Sequence, residues 1–104
     1  MTIPKIPMCT TILQRTARNP VRLVWMLHPG HMMEPNFTLT IAEATDELGA
    51  VGSDVKLLRH EILPERDGSS GEVSFRFKKG ILYRAEILNA DDEPVGSLVY
   101  YNPA

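Results

Sequence analysis

Glu72-Val73-Ser74-Phe75-Arg76-Phe77-Lys78-Lys79-Gly80-Ile81-Leu82-Tyr83-Arg84-Ala85-Glu86-Ile87-Leu88 carries the clearest structural signal in the chain. Apolar and polar residues alternate on both sides of Lys79-Gly80. A period of two places every second side chain on one face of a pleated strand. Val73, Phe75 and Phe77 share one face, and Tyr83, Ala85 and Ile87 share another. Asn89 to Pro94 then forms an acidic turn, and residues 95–101 make a last strand. On that strand Val95, Ser97, Val99 and Tyr101 read as the core face, with Leu98 and Tyr100 opposite. The expectation is an antiparallel meander of strands 72–78, 81–88 and 95–101. Arg84 and Glu86 would then pair across strands with Glu72, Arg76 or Lys78.

Working back from that block, Glu65 to Gly71 is a turn by composition. Residues 54–63 are ambiguous. Val55, Leu58 and Ile62 sit at helical spacing, whereas Leu58, His60 and Ile62 sit at strand spacing. A strand over 54–63 needs a β-bulge to switch faces, and Pro64 ends either version. Residues 37–42 alternate cleanly through Phe37, Leu39 and Ile41. A competing helix over 41–48 is signalled by the capping box Thr40-Ile41-Ala42-Glu43 and the stop at Gly49. Residues 21–27 form a strand with Val21, Leu23, Trp25 and Leu27 on its core face. Residues 10–18 suggest a short helix, capped by Thr10 and stopped at Asn19-Pro20.

Six or seven short strands with regular turn signals indicate a mainly β chain. The expected fold is a small antiparallel β-sandwich, immunoglobulin-like or transthyretin-like, with room for one short helix. Residues 1–19 are expected to be an N-terminal tail or short helix, and residues 20–104 a single sandwich domain. At 104 residues the chain has material for one core. Such a chain buries roughly 65% of its unfolded surface, enough to fold without staples. The only cysteine, Cys9, cannot close an internal disulfide.

The net charge of −2 hides an asymmetry. Residues 1–33 hold Lys5, Arg15, Arg18 and Arg22 and no acid. The remaining 71 residues hold all 13 acids and seven bases. A basic end against an acidic body is self-complementary, within the chain or between copies. Four bases in 33 residues are too thin for nucleic acid, whose affinity needs several simultaneous phosphate contacts. No stretch approaches the roughly 20 apolar residues of a membrane span. Pro4 and Pro7 break the start of the chain, which lacks the apolar run of a signal peptide. The expected compartment is the cytoplasm, or the periplasm if a leader has been removed.

Two surfaces are candidates for function. The first is the turn His28-Pro29-Gly30-His31-Met32-Met33. Pro-Gly at the centre of a turn favours type II, which brings His28 and His31 within about 7 Å. Two imidazoles that close, with Met32 or Met33 adding a thioether, suit copper or another soft metal. The simpler reading has the histidines flanking an exposed hairpin and the methionines packing on the sandwich edge. His60 is expected as a half-buried strand residue. The second surface is an apolar outer strip of Met26, Leu82, Leu88, Leu98 and Tyr100. A small sandwich has nothing of its own to cover such a strip, so a partner would bury it.

No reaction centre emerges. Cys9 lacks a neighbouring base to activate its thiol. Ser69-Ser70 lacks a strained elbow. Asp91-Asp92-Glu93 lacks the alternating oxygens of a calcium loop. Gly49 to Ser53 lacks the lysine of a phosphate loop. The element order from Phe37 to Tyr101, with its Tyr83-Arg84-Ala85-Glu86-Ile87 strand, acidic turn and last strand, is similar to small bacterial pilotin-type β-sandwich lipoproteins. The resemblance implies a sandwich fold. Those proteins carry a lipid-attachment cysteine after a leader, which this chain does not show. The expected function is a non-enzymatic module that binds itself or another protein, with no nucleic acid and no membrane. The alternative is a small copper-binding protein using the histidine turn; otherwise no cofactor is expected.

Overall fold

The computed structural model describes residues 11–17, 20–31, 34–44 and 56–103. Seven strands run in the order β1 (Ile12–Arg15), β2 (Arg22–Met26), β3 (Phe37–Glu43), β4 (Leu58–Ile62), β5 (Ser70–Ser74), β6 (Leu82–Leu88) and β7 (Pro94–Tyr101). A one-turn helix, α1 (Pro64–Asp67), and a 3₁₀ turn at Pro29–His31 sit between them. Two antiparallel sheets result, ordered β1-β2-β5 and β4-β3-β6-β7. Their inner faces supply one core: Leu13, Leu23, Trp25 and Val73 from the first sheet, and Phe37, Leu39, Ile41, Ile62, Tyr83, Ala85 and Ile87 from the second. This is a mainly β, immunoglobulin-like sandwich whose fourth strand joins the sheet of the third.

Two local features fit that architecture. Trp25 is buried on β2. Near the start of β6, Tyr83 turns its hydroxyl back to accept the Lys78 amide N–H at 2.8 Å. A tyrosine at this corner ties the arch between the sheets to the strand that follows it. Phe75, Phe77, Tyr83 and Tyr100 meet edge to face, with centroids 4.9–5.7 Å apart. That geometry places ring edges on electron-rich ring faces. Asn102 completes the arch by donating its side-chain amide to the Phe77 carbonyl at 2.9 Å.

The alternation of 21–27, 37–42 and 81–88 yields strands with the expected inner faces. For 58–62 the strand spacing prevails: Leu58, His60 and Ile62 lie opposite Ile41, Leu39 and Phe37. Residues 1–10 and 45–55 lie outside the described residues, so the earlier part of the 54–63 reading and the helix beyond Ala44 do too.

Four expectations are corrected. Residues 12–15 form a strand, not a helix, because β2 offers an edge that Leu13 can join while burying itself opposite Trp25. The strand expected over 72–78 is β5, residues 70–74, and it pairs with β2 rather than β6. Its ladder ends where β2 begins, so Phe75 and Phe77 continue into the arch. No three-stranded meander forms, and Arg84 pairs with Glu86 on its own strand at 3.3 Å. The Pro-Gly turn is 3₁₀ rather than type II. Gly30 donates its N–H to the His28 Nδ1 at 2.9 Å, a side-chain acceptor taking over the turn.

The fourth correction concerns the phase of β7. Ile87 faces Gly96 but Leu88 faces Pro94, so Val95 is an extra residue on β7. Such a bulge flips the alternation after it. Leu98 and Tyr100 therefore lie opposite Ala85 and Tyr83 on the inner face, and Val99 and Tyr101 lie opposite Arg84 and Leu82 on the outer face. Neighbouring substitutions test this. Leu98→Lys is expected to cost about 2–3 kcal/mol, through lost packing and a desolvated charge. Val99→Lys is expected to stay within about 0.5 kcal/mol, as for an exposed position. Urea denaturation of both variants decides between the phases; equal costs would contradict the bulge.

Candidate functional site

The antiparallel registers sort the loops into two poles. One pole carries the 27–36 connection, the 63–69 turn with α1, and the 89–93 turn. The other carries the 16–21 connection, the 75–81 arch and the residues after Tyr101.

The histidine turn is at the first pole. His28 donates its backbone N–H to the Thr11 hydroxyl at 3.4 Å, and its Nδ1 accepts from Gly30. Met32 and Met33 lie outside the described residues, as does the side chain of His31. His60 is on β4, opposite Leu39. Among the described residues no group of three or more His, Cys, Asp or Glu side chains is arranged to hold a metal ion.

The apolar strip does not come together as one surface. Met26 is 51% exposed on the outer face of the three-stranded sheet, opposite Ile12 and Ser70. Leu82 and Leu88 are on the outer face of the other sheet. Six residues apart on one strand, they are separated by roughly 20 Å, and the Arg84–Glu86 ion pair lies between them. Leu98 and Tyr100 point inward, and Leu98 packs against the core. Tyr100 sits under Arg15, whose guanidinium carbon is 4.9 Å from the ring centroid. The outer apolar cluster instead consists of Leu82, Val99 and Tyr101, the last two 40% and 51% exposed. Sequence phase alone misplaces Val99 and Tyr101 in the core. The signal that finds them is Pro94-Val95-Gly96, where a proline and a glycine flank the extra residue.

β7 is also an edge strand. Among the described residues, β1 runs beside it: the Thr11 N–H donates to the Val95 carbonyl at 2.9 Å, and Arg15 lies over Tyr100. Exposed edges with apolar side chains are ready templates for another chain.

The 63–69 turn has its own electrostatics. The Asp67 carboxylate accepts from Arg66 Nε and Nη2 and from the Leu63 N–H, each at 2.9 Å. Its carboxyl is held down to about 2, first by the Arg66 hydrogen bonds and then by the Leu63 amide. A lowered carboxyl stabilises the fold above its ordinary pKa, and that contribution is lost as the pH falls through the lowered value. The turn is expected to loosen between about pH 4 and pH 2 while both sheets persist. An NMR titration should show the Leu63 amide shifting with a midpoint near that of Asp67. Asp67→Asn should abolish this transition, and an unchanged titration in that variant would contradict the assignment.

No protein-family model matches the chain, and neither the curated proteins nor the solved structures give a significant match.

Proposed function

We propose that this chain is a non-enzymatic β-sandwich module that associates with protein, a second copy or another chain, through the outer face of β6 and β7. The supporting observation is the exposed apolar pair Val99 and Tyr101, with half-buried Leu82 opposite Tyr101, on an edge strand of the four-stranded sheet. Apolar side chains clustered on an edge strand expose the row of backbone groups and the greasy surface that strand addition uses. Removing such a surface from water stabilises association by about 25 cal/mol per Å² of apolar area, before the costs of ordering.

Light scattering at rising concentration tests the reading. The expected result is a mass that grows with concentration and persists in high salt, since the contact is apolar. In high salt, Val99→Glu/Tyr101→Glu should return the chain to a monomer with its melting temperature little changed. A wild-type chain that stays monomeric, and whose cross-linked partners in a cell extract are the same as those of the double variant, would overturn it.

A further inference from the structure

The two poles carry opposite charge among the described residues. The arch pole holds Arg15, Arg22, Lys56, Arg76, Lys78 and Lys79 against Glu43, whereas the other holds Glu34, Glu65, Asp67, Asp91, Asp92 and Glu93 against Arg66. Arg76, Lys78 and Lys79 come from the acidic part of the sequence, so the fold and not the chain order sets this asymmetry.

Each pole has a shaped feature. At the basic pole, the start of β2 and the end of β5 border an open groove of ≈ 300 Å³ between Pro20, Val21 and Phe75, flanked by Arg22 and Arg76. A second lobe of ≈ 170 Å³ extends it to Phe77 and Asn102. Arg22 reaches Glu72 at 3.4 Å; Arg76 has no ion-pair partner among the described residues. An apolar floor with a few charged groups at the rim is how a groove orients a partly apolar, anionic guest.

At the acidic pole, the 89–93 turn is held rigid by one side chain. Asn89 Oδ1 accepts the N–H groups of Asp91 at 3.0 Å and Glu93 at 2.9 Å, and its Nδ2 donates to Glu93 Oε1 at 3.2 Å. The backbone closes the turn again, Asn89 N–H to the Glu93 carbonyl at 2.9 Å and Asp92 N–H to the Asn89 carbonyl at 3.0 Å. Asp91 and Asp92 are exposed and have no ion-pair partner among the described residues. A tip already ordered loses little entropy on docking.

We infer that the acidic 89–94 turn of one copy docks into the arginine-flanked groove of the next. Asp91 and Asp92 meet Arg22 and Arg76, and Pro94 lies toward the apolar floor. Because tip and groove are at opposite poles, a chain cannot satisfy its own groove. The contact is heterologous and propagates head to tail. The inference goes beyond the association reading above: it adds a second contact between copies, made by different residues and a different force. Paired opposite charges speed encounter and set register, and they weaken with salt.

Two variants test it, each disabling one pole. Arg22→Gln/Arg76→Glu spoils the groove, and Asp91→Lys/Asp92→Asn spoils the tip while keeping an asparagine at the left-handed φ of 60° held by Asp92. In a Val99→Glu/Tyr101→Glu background, which removes the β7 contact, sedimentation velocity should show the chain associating at low ionic strength and dissociating in about 1 M salt, where the screening length is about 3 Å. Each variant alone should lose association by on the order of tenfold or more. Mixed, they should form a one-to-one dimer and nothing larger, because one functional tip and one functional groove remain. The mixture also guards against misfolding, since an unfolded variant could not restore a contact. Wild-type association that resists salt and survives both variants, but is lost in Val99→Glu/Tyr101→Glu, would overturn the inference and leave the β7 contact standing. A monomeric wild type at low salt, or a mixture that fails to dimerise, would also overturn it.

Discussion

Gly71→Ala is expected to destabilise the fold by about 1–3 kcal/mol, through crowding of a side chain that has nowhere to go. Trp25 and Gly71 are opposite each other on β2 and β5. A Cβ at position 71 would lie 2.6 Å from Trp25 Cζ2 and 2.8 Å from Cε2. The indole is 2% exposed and packed between the sheets, so the strain passes to the backbone of β5. Trp25→Ala is expected to cost more, about 3–5 kcal/mol, because it empties the largest space in the first sheet's inner face. The indole Nε1 is buried with no acceptor among the described residues, a penalty that a phenyl ring does not carry. Trp25→Phe should therefore cost less than its loss of volume implies. The two sites are in contact, so their effects should not add. Gly71→Ala in a Trp25→Phe background should be at least about 1 kcal/mol milder than in the wild type. Urea denaturation of the four chains closes this cycle, and strict additivity would contradict the packing.

Leu39→Ala is expected to cost about 3 kcal/mol, within the 2–5 kcal/mol range for a leucine removed from a tight core. Leu39 is fully buried on β3, a central strand, with His60 beside it on β4 and Ile87 on β6. Strands on both sides prevent collapse of the backbone into the space left behind, so the cavity term remains. For a domain of this size, that loss lowers the melting temperature by on the order of 15 °C. Thr38→Ala, one residue earlier on the outer face, is expected to shift it by no more than a few degrees. A calorimetric comparison checks the pair. Comparable shifts would mean that the two faces of β3 are not as different as the register makes them.

Much of the sandwich was legible because three strands alternate without ambiguity. Leu23 and Trp25, Leu39 and Ile41, and Tyr83, Ala85 and Ile87 each fall on one face in the sequence, and each is buried in the structure. The candidate surfaces were less legible. Met26 is outward by its alternation and exposed in the structure, but nothing in its own segment says which sheet lies behind it. Leu98 and Tyr100 fall outward by phase alone because β7 has apolar residues in both phases. The same ambiguity hid Val99 and Tyr101 from view.

The sequence by itself determined the class of fold, the positions of the main turns and the inner faces of β2, β3 and β6. It did so because a period of two, with one phase uniformly apolar, leaves a strand only one face to bury. The tertiary structure decided what periodicity does not encode. It placed residues 12–15 in a strand, because an open ladder on β2 outweighed a weak helical preference. It put β5 beside β2 and not β6, because the tyrosine corner and Asn102 hold 75–81 as an arch between sheets. It reversed β7 after Val95, because one inserted residue exchanges the faces of everything downstream. The charges of the described residues likewise became two opposed poles only when alternate loops were gathered at alternate ends.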